Sequence, residues 1–298
     1  KVITPNQTPI TPPVGQNASI FDLSFDYTTN NSSRGTYFTL QGESDLHFTG
    51  GRPVQPRTTI PLNTPGTLAH GVLMLGGTFT DIPNFDPVIP AVITDQVYLA
   101  MEPIYPLEQW YPAHIAGVNR FLSVEGQVLQ ELVVVPGQFK ADAATTPTRG
   151  TERLYSNLEL ELFTAPFEGT DFIAPSIHEI QVISSTTSLQ FQVRVSDDSG
   201  DIQRVVVLYQ AANSTTWSRA ELGYDAATGF ATGTMEPLGG LIYYFIQAVD
   251  PSGNVAVALD HNNPFQVVTP PVAIARFHAP ASVNEGRSII LSLTDPLS

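Results

Sequence analysis

A chain of 298 residues is long enough for about two domains of ordinary size, and its abundant Val, Ile, Phe, Tyr and Thr, broken up by 25 prolines and 22 glycines, read as strands between turns. With 28 acidic against 13 basic residues the net charge is −15, which repels nucleic acid and anionic lipid, because binding there depends on neutralising phosphate. The complete lack of cysteine excludes disulfides, thiolate metal sites and a cysteine nucleophile; no apolar run approaches the roughly 20 residues of a membrane span.

Residues 1–16 (KVITPNQTPITPPVGQ) form a polar, proline-rich extended segment. A first β-sandwich is expected over 17–165. Phe21, Leu23, Phe25 and Tyr27 alternate, as do Leu46 and Phe48, and Val97, Leu99 and Met101. Val72 to Leu75 reads as a fully buried strand. A loop crowded with Pro103, Tyr105, Pro106, Trp110, Tyr111 and Pro112 follows. Val128 to Val135 and Leu154 to Phe163 are the strongest strands, the second with Leu158, Leu160 and Leu162 inward and Asn157, Glu159 and Glu161 outward toward water. No stretch holds a helical stripe; Pro106 and Pro112 cut the nearest one, Leu107 to Val118, to a turn or two.

A linker is expected at 166–175 and a second sandwich at 176–268. There Leu189, Phe191, Val193 and Val195 alternate, then Val205, Val207 and Tyr209, then Ile242, Tyr244 and Ile246. Turn-rich breaks, DDSGD at 197–201 and DPSGN at 250–254, separate them. Residues 269–298 read as the start of a further β module or as a docked C-terminal segment, and the chain reads as a piece of a longer polypeptide. The predicted class is all-β, built of tandem β-sandwich domains.

On Val195 to Ile202, Val205 to Tyr209 and Tyr243 to Asn254 the second domain resembles the Ig-like and fibronectin-III-like modules of secreted bacterial proteins. Val283 to Gly286 with Ile289 to Leu293 resembles the opening of a PKD-type module. Trp110 to Ala113, Leu132 to Phe139 and Gly150 to Phe163 resemble the β-rich propeptide region of gingipain-like cysteine proteases. The catalytic domain of that family, with its His–Cys pair, does not follow, so what this resemblance implies is a non-catalytic role.

Chemistry-bearing groups are sparse. No nucleophile elbow occurs, and His47, His70, His114, His178, His261 and His278 are scattered singly. Asp197, Asp198 and Asp201, with Asp250 from a second loop, could hold calcium, or serve simply as turn residues. Trp110 and Tyr111, with Trp217 elsewhere, could stack sugar rings or plug a sandwich end. Asn6, Asn17, Asn30, Asn31 and Asn213 open glycosylation sequons in apparent loops or tails.

These readings converge on a non-enzymatic structural or adhesive protein, secreted or at the cell surface, whose partners are copies of itself or other surface proteins. Calcium is the one cofactor the residues suggest. The extended first segment suits donation to a neighbour's sheet, a head-to-tail contact that builds filaments or a surface layer. The alternatives are an accessory or propeptide-type region of a larger secreted protease, and a carbohydrate-binding module.

Overall fold

The computed structural model describes residues 4–6, 17–62, 66–91, 108–143, 149–166, 171–186, 188–236 and 238–269. Every regular element among them is a strand. The first half contains β1 (Thr4–Asn6), β2 (Asn17–Ser24), β3 (Tyr27–Ser32), β4 (Gly35–Leu40), β5 (Leu46–His47), β6 (Gln55–Pro56), β7 (Thr58–Pro61), β8 (Thr67–Phe85), β9 (Ala116–Leu122), β10 (Val128–Val134), β11 (Gly137–Ala141) and β12 (Gly150–Pro166). The second contains β13 (Ser176–Ser184), β14 (Leu189–Ser196), β15 (Arg204–Ala211), β16 (Thr216–Asp225), β17 (Phe230–Met235), β18 (Gly240–Val249), β19 (Val255–Ala258) and β20 (Phe265–Thr269). The residues 97–101, Tyr105 and 270–298 lie outside the described residues, and with them the PKD-like stretch.

Two long strands organise the first half. β8 and β12, of 19 and 17 residues, pair antiparallel from Thr67–Pro166 to Phe85–Gly150. Register shifts along the ladder bend the ribbon, as bulges do. β2 lies on the other side of β12, and the sheet β7–β10–β9 packs against them. Leu23, Leu73, Leu132, Val134, Leu158 and Leu160 are fully buried between these layers, which is why the apolar alternation of β12 reads so clearly. Phe38, Phe85, Phe139 and Leu154 form a satellite core beside the β3–β4 hairpin.

Not every alternation carries a strand. Leu46 lies in a two-residue strand, and Phe48 is 66% exposed, having no sheet to pack against. The described residues of the first segment, Thr4–Asn6, pair with Ile20–Asp22 of their own chain. The first segment, expected to pair with a neighbour's sheet, is therefore paired in cis along those residues.

The second half is a sandwich of β13–β14–β17 over β16–β15–β18, with β19 and β20 flanking β18. β16 serves both layers: Ser218–Leu222 pair with β15, and Gly223–Asp225 pair with β17. Leu189, Phe191, Val193 and Val195 meet Val205, Val207, Ile242 and Ile246 in the core, as the period of two predicts.

Of the two carboxylates expected in water on β12, Glu161 is covered by this second sandwich and Glu159 is partly exposed beside it. Glu161 is 3% exposed and pairs with Arg204, whose guanidinium also holds Glu221. Glu159 meets Arg219 at 3.2 Å. Thr216 and Trp217 pair with Thr78 and Gly77, so β8 carries the hydrogen-bonded ladder from one half to the other. Val206, Leu208 and Val249 share a core with Leu73 and Leu158. At Gly71 an added Cβ would lie 2.5 Å from Val255 Cγ2 and 2.7 Å from the Gly253 carbonyl oxygen, so glycine permits the close approach.

Candidate functional site

The joint between the halves concentrates carboxylates. Asn254, closing the DPSGN turn, donates from Nδ2 to the carbonyls of Asp171 at 3.0 Å and Ile173 at 3.2 Å. Phe172 between them is stacked on His70 at 4.6 Å, with the Arg120 guanidinium 4.5 Å from its ring. This fixes the linker and carries Asp171 into the DDSGD turn, where carboxylate oxygens of Asp171, Asp197 and Asp198 lie within 4.8 Å of one another. Asp171 Oδ2 and Asp197 Oδ1 are buried with no hydrogen-bond partner. Such clustered oxygens are the donor type a hard cation takes.

The set differs from the one read in sequence. Asp197 and Asp198 are in it, and Asp171 joins from a segment read only as linker. Asp250 is fully buried as a turn cap, accepting from the Asn254 main-chain N–H at 2.8 Å and from its side chain at 2.7 Å. Burial pushes its carboxyl up, the Asn254 bonds pull it back, and the charges of Asp197 and Asp171 push it further up. Asp201 Oδ1 accepts from the Ile202 N–H at 2.8 Å, as a turn residue does.

The three aromatics do not form one platform. Trp217 is 4% exposed, edge-on to Phe245 at 5.1 Å, and so belongs to the core. It sits where β16 crosses onto β8, a burial its local sequence does not signal. Tyr111 closes the end of the first sandwich: its hydroxyl is 3.0 Å from His47 Nε2, and its main chain exchanges hydrogen bonds with Phe139. Burial raises the Tyr111 phenol and lowers the His47 imidazole.

Of the three, Trp110 borders the polar cleft, and Trp217 lines only the apolar cavity behind it. Arg153 lies between it and Phe79, 4.2 Å and 3.7 Å from the two ring centroids, and is bonded twice to Asp81 at 2.8 and 2.9 Å. Beside Trp110 a polar cleft of about 360 Å³ opens between the halves, backed by an apolar cavity of about 70 Å³. Sequence reading missed Lys140, Asp142 and Gln210, which line this cleft from elements distant in the chain.

The remaining ionisable groups are dispersed. His178 Nε2 is 2.6 Å from Ser196 Oγ on an exposed strand pair, and His261 Nδ1 is 2.7 Å from Asp260. Glu152 is buried, accepting from Gln55 Nε2 at 3.2 Å. Of the sequons, Asn213 lies in an exposed turn, whereas Asn30 and Asn31 lie on β3 and Asn6 and Asn17 on β1 and β2. Four of the five expected loop positions are thus strand positions.

This is an all-β protein, and no helix of its described residues is long and apolar enough to cross a membrane. No family model matches the chain, and no curated protein does. Among solved structures it is similar to the complex of pro- and mature domains of RgpB from Porphyromonas gingivalis, at 19% identity and a TM-score of 0.37. That similarity covers 55% of this chain and 86% of the other.

Proposed function

We propose that this chain is a non-catalytic structural module of a secreted or cell-surface protein, two sandwiches joined into one stiff unit that spaces or presents other domains. The observation that carries the reading is the seam. It holds a buried guanidinium between two carboxylates, a shared apolar core and a continuous ladder, where a flexible string of modules would have a solvated, polar joint. The layer order β13–β14–β17 over β16–β15–β18 suits a fibronectin-III-like second module. This reading calls on no donation of the first segment to a neighbour, because Thr4–Asn6 pair with β2 of their own chain.

Two measurements test this: NMR relaxation of both halves, and antibody labelling of intact cells that make the full-length protein. A common tumbling time and labelled surfaces are expected. Independent tumbling, or antigen found only inside the cells, overturns it.

A second reading, an accessory or propeptide-type region of a larger secreted protease, is favoured by the β9–β10 hairpin. Its tip exposes Phe121, Leu122, Val124, Val128 and Leu129, with Leu122 at 71%, a patch suited to docking on another domain. The test is inhibition, in trans, of any peptidase domain encoded in the same polypeptide. Relief of that inhibition by Leu122→Ser is expected, and no inhibition removes this reading.

A further inference from the structure

We propose that the polar cleft beside Trp110 is a binding site for a neutral saccharide ring. The proposal goes beyond the scaffold reading and does not depend on it. Its first support is size and position. At about 360 Å³ the cleft falls in the range of small-ligand sites, and it lies between two sandwiches, where such sites are common. Its walls are held from both sides, by β8, β11 and β12 of one half and β15, β18 and β20 of the other.

The second support is an acceptor left without a donor. Gln210 is 4% exposed and lines the cleft, and its Oε1 has no hydrogen-bond partner. Buried polar atoms are almost always paired, so an orphaned carbonyl oxygen at a cleft wall marks a place for an incoming hydroxyl. A ring bearing several hydroxyls supplies that donor. The adjoining apolar cavity is lined by Trp217 and Tyr155, whose indole and hydroxyl already face each other.

The third support is a preformed aromatic wall. The Trp110 ring is locked against Arg153, itself clamped by Asp81 and Phe79, so little rotamer freedom remains to be lost when a ligand arrives. Flat aromatic surface beside fixed polar groups matches a pyranose, which has an apolar C–H face and polar edges.

Charge selects among ligands. Lys140 and Arg153 face Asp81 and Asp142, two cations against two carboxylates, so the cleft is balanced. A sulfated or phosphorylated ligand would meet both carboxylates and the chain's net charge of −15, and an amine would meet Lys140. A neutral sugar meets neither penalty.

The experiment is a carbohydrate array carrying neutral, sialylated and sulfated glycans, read with the full chain. Titration of the best neutral hit follows, monitored by tryptophan emission. Trp110 and Trp217, the only tryptophans, both border these cavities, so emission reports occupancy directly. We expect binding to at least one neutral glycan, a change in emission, and affinity lowered about tenfold or more by Trp110→Ala and by Gln210→Leu. Gln266→Ala, at an exposed lining position, serves where the buried substitution disturbs folding, and weaker binding is expected there too. The proposal is overturned if no neutral glycan binds, if only charged glycans bind, or if binding survives Trp110→Ala and Gln266→Ala unchanged. Silence on the array would assign the orphaned atoms to solvent.

Discussion

Gln247 of the second sandwich closes both main-chain hydrogen bonds of Met74 in the first, accepting from its N–H at 2.9 Å and donating to its carbonyl at 2.8 Å. The side chain acts as a one-residue strand, pairing with β8 where no backbone partner reaches. Gln247 is 2% exposed and Met74 is 7% exposed, so no solvent stands by to replace those bonds.

Gln247→Leu should therefore cost more than the average hydrogen bond. Leaving a buried N–H and C=O unpaired costs about 1–3 kcal/mol each. Urea unfolding should show a loss of about 2–6 kcal/mol for the two groups together, with faster amide exchange at Met74. A variant as stable as the parent would mean that water enters the seam.

Arg204 is the second test of the seam. Removing one partner of a buried pair costs about 3–5 kcal/mol, because the remaining charge is stranded. Arg204→Met should show such a loss, since Glu161 would be left buried. Adding Glu161→Gln should recover much of it. Glu221 is half-exposed, so Glu221→Gln should cost about 1 kcal/mol or less. Equal effects from the two glutamates would contradict the arrangement.

Glu152 makes stability depend on pH. Burial holds its carboxyl well above the ordinary carboxylate range, opposed only in part by the Gln55 hydrogen bond. At low pH the folded and unfolded states both keep the proton. Above about pH 4.5 the unfolded chain releases it while the folded chain retains it, so stability falls as pH rises toward the folded value. Glu152→Gln is neutral throughout. Melting temperatures of the variant should lose this decline; parallel curves would show that Glu152 ionises without cost.

Calcium is testable at the joint. If Asp171, Asp197 and Asp198 hold the ion, adding calcium should raise the melting temperature by linkage, and chelation should reverse it. Asp197→Asn should abolish the response, whereas Asp201→Asn should leave it intact. A flat response in the parent chain confines the carboxylates to their turns.

What sequence could and could not reveal follows from the range of each signal. The period-two pattern of Leu189 to Val195 and Leu158 to Leu162 is local, and those strands were legible. The same rule assigned Glu159 and Glu161 to water, because alternation cannot tell solvent from a second protein layer that supplies arginines. Local pattern likewise leaves Trp217 open between a sugar platform and a plug, because its burial arises from β8, distant in the chain. Asn254 ties down the linker that brings Asp171 to Asp197, and Gln210 shares a cleft with Trp110 only across the two sandwiches. Contacts between halves leave no periodic trace.

Beyond the joint, the shared ladder at Thr78 and Thr216 bears on how the chain yields under load. Beads on a string come away singly, each rupture relaxing the line before the next. Here tension that strips β16 from β8 also pulls at Arg204 and Gln247, so the halves should give way in one event with a single peak of force.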